Sequence, residues 1–387
     1  MVSSPHFRII RFLVQSAVIL VLLTSSGLCQ SQGPAEAIAL EQQGKFEESA
    51  QVWRQVIEKN PRDARAYASL GVVLSKQAKY SDAVTAYRKA LSIEPKLAGI
   101  DLNLGLAEFK QGHFSAAIPA LKLALQENPA STQARTLLGM SYYGEKQFAK
   151  AAETLKPLAQ ADPSNVELQQ LIAQSCLAAK DYPCAQEGFR EILRQKPDSA
   201  SAHILMGEAL DGLGRTPEAI AEFEEAAKVA PHEPNVHFGL GFLYWKSHDY
   251  DKASAEFQAE LANDPKNAEA MAYLGDTELK SGNPQKAEPL LKQAIQLRSD
   301  LRFAYIDLGT LRADEKNYPE AETALRKAIE LDPKQADAHY RLARVYQAMG
   351  NGKQADEEFK TVQQLHQQSD AKPSLAPNMG PSAPPLP

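Results

Sequence analysis

The sequence predicts an all-α protein, a solenoid of tandem antiparallel helix hairpins with a 34-residue period. Three observations carry this reading. Prolines recur at Pro61, Pro95, Pro129, Pro163, Pro197, Pro231 and Pro265, miss once at Ser299, and resume at Pro333. With Ala64 as position 1 of a repeat, position 8 is always small: Gly71, Gly105, Gly139, Ala173, Gly207, Gly241, Gly275, Gly309 and Ala343. Position 20 is alanine throughout, from Ala83 to Ala355. A fixed period held without insertion outweighs the two or three domains that a 387-residue chain would otherwise suggest, because repeat arrays grow in one dimension.

The amino terminus differs from the rest. His6, Arg8 and Arg11 give a basic start, Phe12–Leu23 is almost wholly apolar, and Thr24–Gly27 is small and polar, the layout of a secretory signal. The apolar run is shorter than the roughly 20 residues a membrane span requires. Residues 1–30 therefore read as a signal peptide, with export to a periplasm or outside the cell expected. The alternative is retention of the segment, or of Cys29, as a membrane anchor. Formal net charge is −6, with basic and acidic residues interspersed along the chain. That balance argues against nucleic acid or an anionic membrane surface as the main partner.

Residues 31–63 follow as a repeat shortened at its first helix, with Phe46, Trp53 and Pro61 in register. Residues 64–335 hold eight complete repeats. In each, apolar residues at three- and four-residue steps mark helices. A break near positions 14–17, at Gly112, Gly214, Gly282 and Gly350, divides the repeat in two. Small residues at 8 and 20 allow the two helices to approach closely. A large residue at 24 (Tyr87, Leu121, Leu155, Phe189, Phe223, Phe257, Leu291, Leu325, Phe359) is expected to fill the gap between a hairpin and its neighbours. Pro183, Pro217 and Pro319 fall in the first turn of second helices, where a missing N–H costs nothing. Pro119, Pro157 and Pro289 lie deeper, where each is expected to kink its helix or leave a carbonyl to water. Residues 336–369 lack the closing proline and end in a polar run, as a terminal cap requires. Residues 370–387 are proline-rich and read as a disordered tail.

These residues closely resemble the tetratricopeptide repeat family, whose unit is a 34-residue helix hairpin with small residues at 8 and 20 and proline at 32. The resemblance covers Gly33 to Gln367. It implies a superhelix whose first helices line a concave groove that commonly binds an extended or helical peptide of another protein. Positions 2, 5, 9 and 12 are expected to face that groove. In the repeat starting at Pro234 they are Asn235, Phe238, Phe242 and Trp245, three aromatics on one helical stripe and typical binding anchors. Asp276, Phe303, Tyr340 and Arg344 extend the set in later repeats, and Met140 and Tyr143 in an earlier one. The competing reading is that these rings pack between adjacent hairpins. The carboxylate clamp of chaperone-tail binders does not fit, because its positions 5 and 9 hold Ala68 and Val72, then Leu102 and Leu106. Nor does a sugar-transferring relative, which would carry an asparagine ladder and a catalytic domain.

No phosphate loop, HExxH or G-x-S-x-G occurs, so no enzyme, cofactor or metal site is expected. His203, His237 and His339 share position 4 of their repeats and read as packing residues. Cys176 and Cys184 occupy positions 11 and 19 of one repeat and are a possible disulfide in an exported protein. Position 11 faces the interior and 19 more the exterior, which argues against their meeting. The expected function is a non-catalytic scaffold for partner proteins or peptides in the cell envelope. The alternatives are a structural part of an envelope assembly or secretion machine and a regulatory adaptor of an envelope enzyme.

Overall fold

The computed structural model describes residues 32–370, and the segments expected to be a signal peptide and a disordered tail lie outside the described residues. Among the described residues there are twenty helices, paired into ten hairpins. They divide into two compact units, one ending at Gln195 and the other beginning at Lys196. The N-terminal unit holds α1 (Gln32–Gln42), α2 (Phe46–Lys59), α3 (Ala64–Lys76), α4 (Tyr80–Ile93), α5 (Ile100–Lys110), α6 (Phe114–Glu127), α7 (Thr132–Gly144), α8 (Phe148–Ala161), α9 (Val166–Ala178) and α10 (Tyr182–Gln195). The C-terminal unit holds α11 (Ala200–Gly212), α12 (Thr216–Val229), α13 (Val236–Lys246), α14 (Tyr250–Asn263), α15 (Ala268–Lys280), α16 (Pro284–Leu297), α17 (Arg302–Asp314), α18 (Tyr318–Leu331), α19 (Ala336–Ala348) and α20 (Gly352–Asp370). No helix among the described residues is long and apolar enough to cross a membrane.

Local chemistry sets the helix ends. Asp63, Ser131, Asn165, Ser199 and Asn267, each just before a first helix, accept a hydrogen bond from the N–H three residues on. Second helices end in an extended residue such as Glu94 (φ −129°) or Asp264 (φ −129°), as the following proline requires. Arg298, before Ser299, is extended too (φ −143°), so the missing proline leaves the turn unchanged. The residue at position 15 is left-handed: Gly112, Gly214, Gly282 and Gly350 take it freely, while Ala78, Lys146, Lys180, His248 and Lys316 take it with a side chain. Pro119, Pro157 and Pro289 lie inside continuous helices, so these positions do not end the second helices they were expected to disturb.

Each second helix packs on its own first helix and, within a compact unit, on the first helix of the next hairpin. First helices of consecutive hairpins also touch, α3 with α5, α5 with α7, and α13 with α15, α15 with α17, α17 with α19. The contact that allows each hairpin to close is between positions 8 and 24 of the same repeat. A Cβ placed on Gly105 would lie 2.6 Å from Leu121, on Gly275 2.8 Å from Leu291, and on Gly309 2.6 Å from Leu325. The large residue therefore seats over its own hairpin's glycine rather than only between neighbours. Where position 8 is Ala173, the glycine moves to the other helix: a Cβ on Gly188 would meet that of Ala173 at 2.7 Å. Leu121, Leu155, Leu291 and Leu325 are fully buried as a result, each worth about 1.5–3 kcal/mol.

This contact makes a sign-changing prediction. Gly309→Ala lowers the urea midpoint by an amount corresponding to about 1–3 kcal/mol, because Leu325 must move. In a Leu325→Ala background the same substitution is neutral or stabilising, since alanine is the better helix former by about 1 kcal/mol.

Candidate binding face

In the C-terminal unit, α13, α15 and α17 lie side by side and contribute the residues the sequence singled out. Pro234 and Asn235 precede α13. Asn235 is left-handed (φ 65°) and sits as the helix cap, so it does not share the helical stripe expected of it. Phe238 and Phe242 do share it, but both are buried. The Phe238 N–H donates to the buried Glu260 carboxylate on α14 at 3.1 Å. Trp245, one turn further, remains half-exposed.

The organising ring is Tyr273 on α15, at position 6 of its repeat. Its ring lies 5.8 Å from Phe238, 5.5 Å from Phe242, 5.4 Å from Trp245, 5.8 Å from Phe257 and 4.8 Å from Phe303. Such pairs contribute about 0.5–1.5 kcal/mol each beyond their burial. Burial, and then the charges of Glu269, Asp276 and Asp307, push the Tyr273 hydroxyl well above its ordinary value, so it stays neutral. Packing between hairpins thus claims Phe238, Phe242 and Tyr273, while Trp245 and Phe303 keep part of their rings in solvent.

Charges gather on the same helices. Trp245 Nε1–H donates to the buried Asp276 carboxylate, which also holds Lys280 one turn along α15. The Lys280 ammonium lies over the Trp245 ring, 5.2 Å from its centre. Asp307 on α17 has no hydrogen bond or ion pair among the described residues, and its Oδ2 is closed off from solvent. Burial raises its carboxyl well above the usual range, the Asp276 charge adds to this, and Lys280 and Arg341 oppose it. Glu208, at position 9 of α11, is pushed up to about 7 by burial alone. Tyr340 on α19 is 48% exposed and Arg344 beside it is exposed, Tyr340 resting its ring edge near Phe359.

Met140 and Tyr143 belong to α7 in the N-terminal unit. Met140 is buried against Phe109, Leu121 and Leu138, and Tyr143 is half-buried with its ring 5.3 Å from Phe148. Cys176 and Cys184, expected from their positions to face apart, are bonded, with Cα atoms 5.7 Å apart. The hairpin turn between them is short enough to bring the buried Cys176 against the half-buried Cys184. Asp181 completes a group of donors within 4.8 Å, but the bond consumes both thiols.

The three histidines are not simple packing residues. Each places Nδ1 against a second-helix glutamate (His203–Glu222 2.7 Å, His237–Glu256 2.6 Å, His339–Glu358 2.6 Å). Each places Nε2 against the carbonyl of the preceding repeat's proline (Pro197 2.8 Å, Pro231 3.0 Å, Pro333 3.2 Å). Position 4 thereby ties one repeat to the next through a polar bridge, which packing alone did not suggest.

A family model described as tetratricopeptide repeat matches residues 74–140, 108–175, 176–237, 212–259 and 312–376, and a second of the same description matches 35–98 and 238–301. Over 63 residues the chain is 46% identical to the type IV pilus assembly protein PilF of Pseudomonas aeruginosa, covering 16% of this chain and 25% of that protein. Over 62 residues it is 42% identical to the protein O-mannosyl-transferase TMTC3 of Mus musculus, covering 16% of this chain and 7% of that one. The chain thus spans a quarter or less of these relatives. Among solved structures, MamA is 21% identical with a TM-score of 0.40, covering 47% of this chain and 100% of that one. YrrB, described as a protein with an unusual peptide-binding site, is 23% identical with a TM-score of 0.40, covering 47% of this chain and 94% of its own.

Two outcomes are expected. Glu208 binds its proton more tightly folded than unfolded, so the native protein loses stability as pH rises from the ordinary 4.5 through about 7. Glu208→Gln therefore leaves the thermal midpoint unchanged at pH 4 and raises it at pH 8. Reduction of the Cys176–Cys184 bond lowers stability by up to about 2–3 kcal/mol on a chain-entropy basis. Chemical unfolding with and without reductant reads this difference, which vanishes in Cys176→Ser/Cys184→Ser.

Proposed function

Since the chain belongs to the tetratricopeptide repeat family, we propose that it is a non-catalytic scaffold that binds a peptide segment of a partner protein on the face formed by its first helices. The observation that carries this is the half-exposed pair Trp245 and Phe303, both in contact with Tyr273. Buried rings lie beneath two aromatic residues that are themselves only partly buried, the arrangement of a binding anchor rather than of a finished core. Phe238 and Phe242 act beneath them as support. In the N-terminal unit, the half-buried Tyr143 would offer a contact on its own first helix, with the buried Met140 beneath. Asp276, Tyr340 and Arg344 supply polar contacts along α15 and α19.

The working place we propose is the cell envelope. The basic and apolar start of the chain, and a disulfide that an oxidising compartment would preserve, support it. The local similarity to PilF favours a second reading within the same place, in which the scaffold serves the assembly of an envelope machine. An adaptor role toward an envelope enzyme would use the same face.

Selection of random dodecapeptides on the full chain, followed by fluorescence anisotropy, tests the proposal. Trp245→Ala/Phe303→Ala is expected to weaken selected peptides at least tenfold, about 1.4 kcal/mol. Leu297→Ala, at an exposed apolar side chain on the second helix α16, leaves affinity unchanged. Equal binding by the Trp245/Phe303 variant would remove this face from the function.

A further inference from the structure

We propose that Asp307, with Asp276 beside it, is the seat for a single cationic side chain, lysine or arginine, of the bound partner segment. This rests on the peptide-binding reading and narrows it to one ligand chemistry. Among α13, α15 and α17, Asp307 carries a carboxylate oxygen that the protein itself does not satisfy. It makes no hydrogen bond or ion pair among the described residues, and its Oδ2 is shut off from solvent. A buried carboxylate oxygen left without a donor costs about 1–3 kcal/mol, more when charged. The nearest cation of the following first helix is engaged elsewhere: the exposed Arg341 donates to Thr310 Oγ1 at 2.9 Å.

The neighbouring carboxylate shows what the place accepts. Asp276 already holds an ammonium, that of Lys280, and the same ammonium lies over the Trp245 indole at 5.2 Å. Asp276 and Asp307 stand at positions 9 and 6 of consecutive repeats, on touching first helices, and Asp307 feels the Asp276 charge. The half-exposed rings of Trp245 and Phe303 flank them and offer the apolar surface that a lysine or arginine stem covers. An incoming cation would pair with the Asp307 carboxylate through its other oxygen, since Oδ2 is closed off from solvent. An acidic or apolar side chain would leave the Asp307 oxygen without a donor, and the acidic one would add a like charge.

The test uses fluorescein-labelled degenerate nonapeptide pools whose central residue is fixed as lysine, arginine, glutamate or norleucine, titrated against the full chain. The lysine and arginine pools are expected to bind at least tenfold more tightly than the norleucine pool. Asp307→Asn, which keeps the shape of the side chain, abolishes that preference while helicity and residual binding persist. Asp307→Lys turns the preference toward the glutamate pool. Equal binding of all pools by the native chain, or a preference that survives in Asp307→Asn, overturns the cation seat while leaving peptide binding intact. Absence of binding by every pool overturns the peptide reading itself, and this inference with it.

Discussion

Every hairpin of this chain depends on how closely two helices can approach. At positions 8 and 24 one helix gives up its side chain so that the other can lay a leucine, tyrosine or phenylalanine across its backbone, as Leu325 lies across Gly309. Where Ala173 replaces the first-helix glycine, Gly188 appears on the facing helix; the last hairpin, with Ala343 and no such glycine, leaves its Phe359 only partly buried. This contact, with the alanine at position 20, consumes the inner surface of the hairpin. The remaining first-helix positions are not held to one residue type by this contact, and those are the positions where the repeats diverge.

The divergence is not uniform. The groove positions of α3 are Arg65, Ala68, Val72 and Ser75, small or unremarkable in character. Helices α13, α15 and α17 instead carry the ring cluster around Tyr273 and the carboxylates Asp276 and Asp307, Tyr273 and Asp307 both at position 6. The second helices, by contrast, carry exposed ion pairs such as Arg190–Glu187 and Lys228–Glu225. Pairs of that kind contribute about 0–1 kcal/mol and keep a surface soluble. One face is therefore invested with buried polar groups and aromatic edges and the other with screened charge. That contrast is the physical basis for placing function on the first helices.

The fold was legible in the sequence because its determinants are local and repeated. The proline series, the small residue at 8 and the caps such as Asn165 and Asn267 each act within a few residues of where they are read. The site was legible only in part. Phe238 and Phe242 were placed on the right helix, but their depth depends on Tyr273 and Phe257 in other helices, which no single-helix stripe reveals. Tyr273 sits at position 6, outside the positions 2, 5, 9 and 12 used to search. Asn235 lies off the stripe because α13 starts only at Val236 with Asn235 as a left-handed cap, the late start that α5 shares behind Gly99. Facing rules along each helix set Cys176 and Cys184 apart, whereas a hairpin turn brings together residues that those rules separate.

The central claim is that partner segments lie along the first helices of the C-terminal unit. Photo-crosslinking measures this directly, with p-benzoylphenylalanine placed at Phe303 or Tyr340 on first helices and at Leu297 on a second helix, and with a peptide selected from a random library as the partner. The account predicts that the peptide is captured at Phe303 and Tyr340 and not at Leu297. Capture at Leu297 with none at the first-helix positions would contradict it.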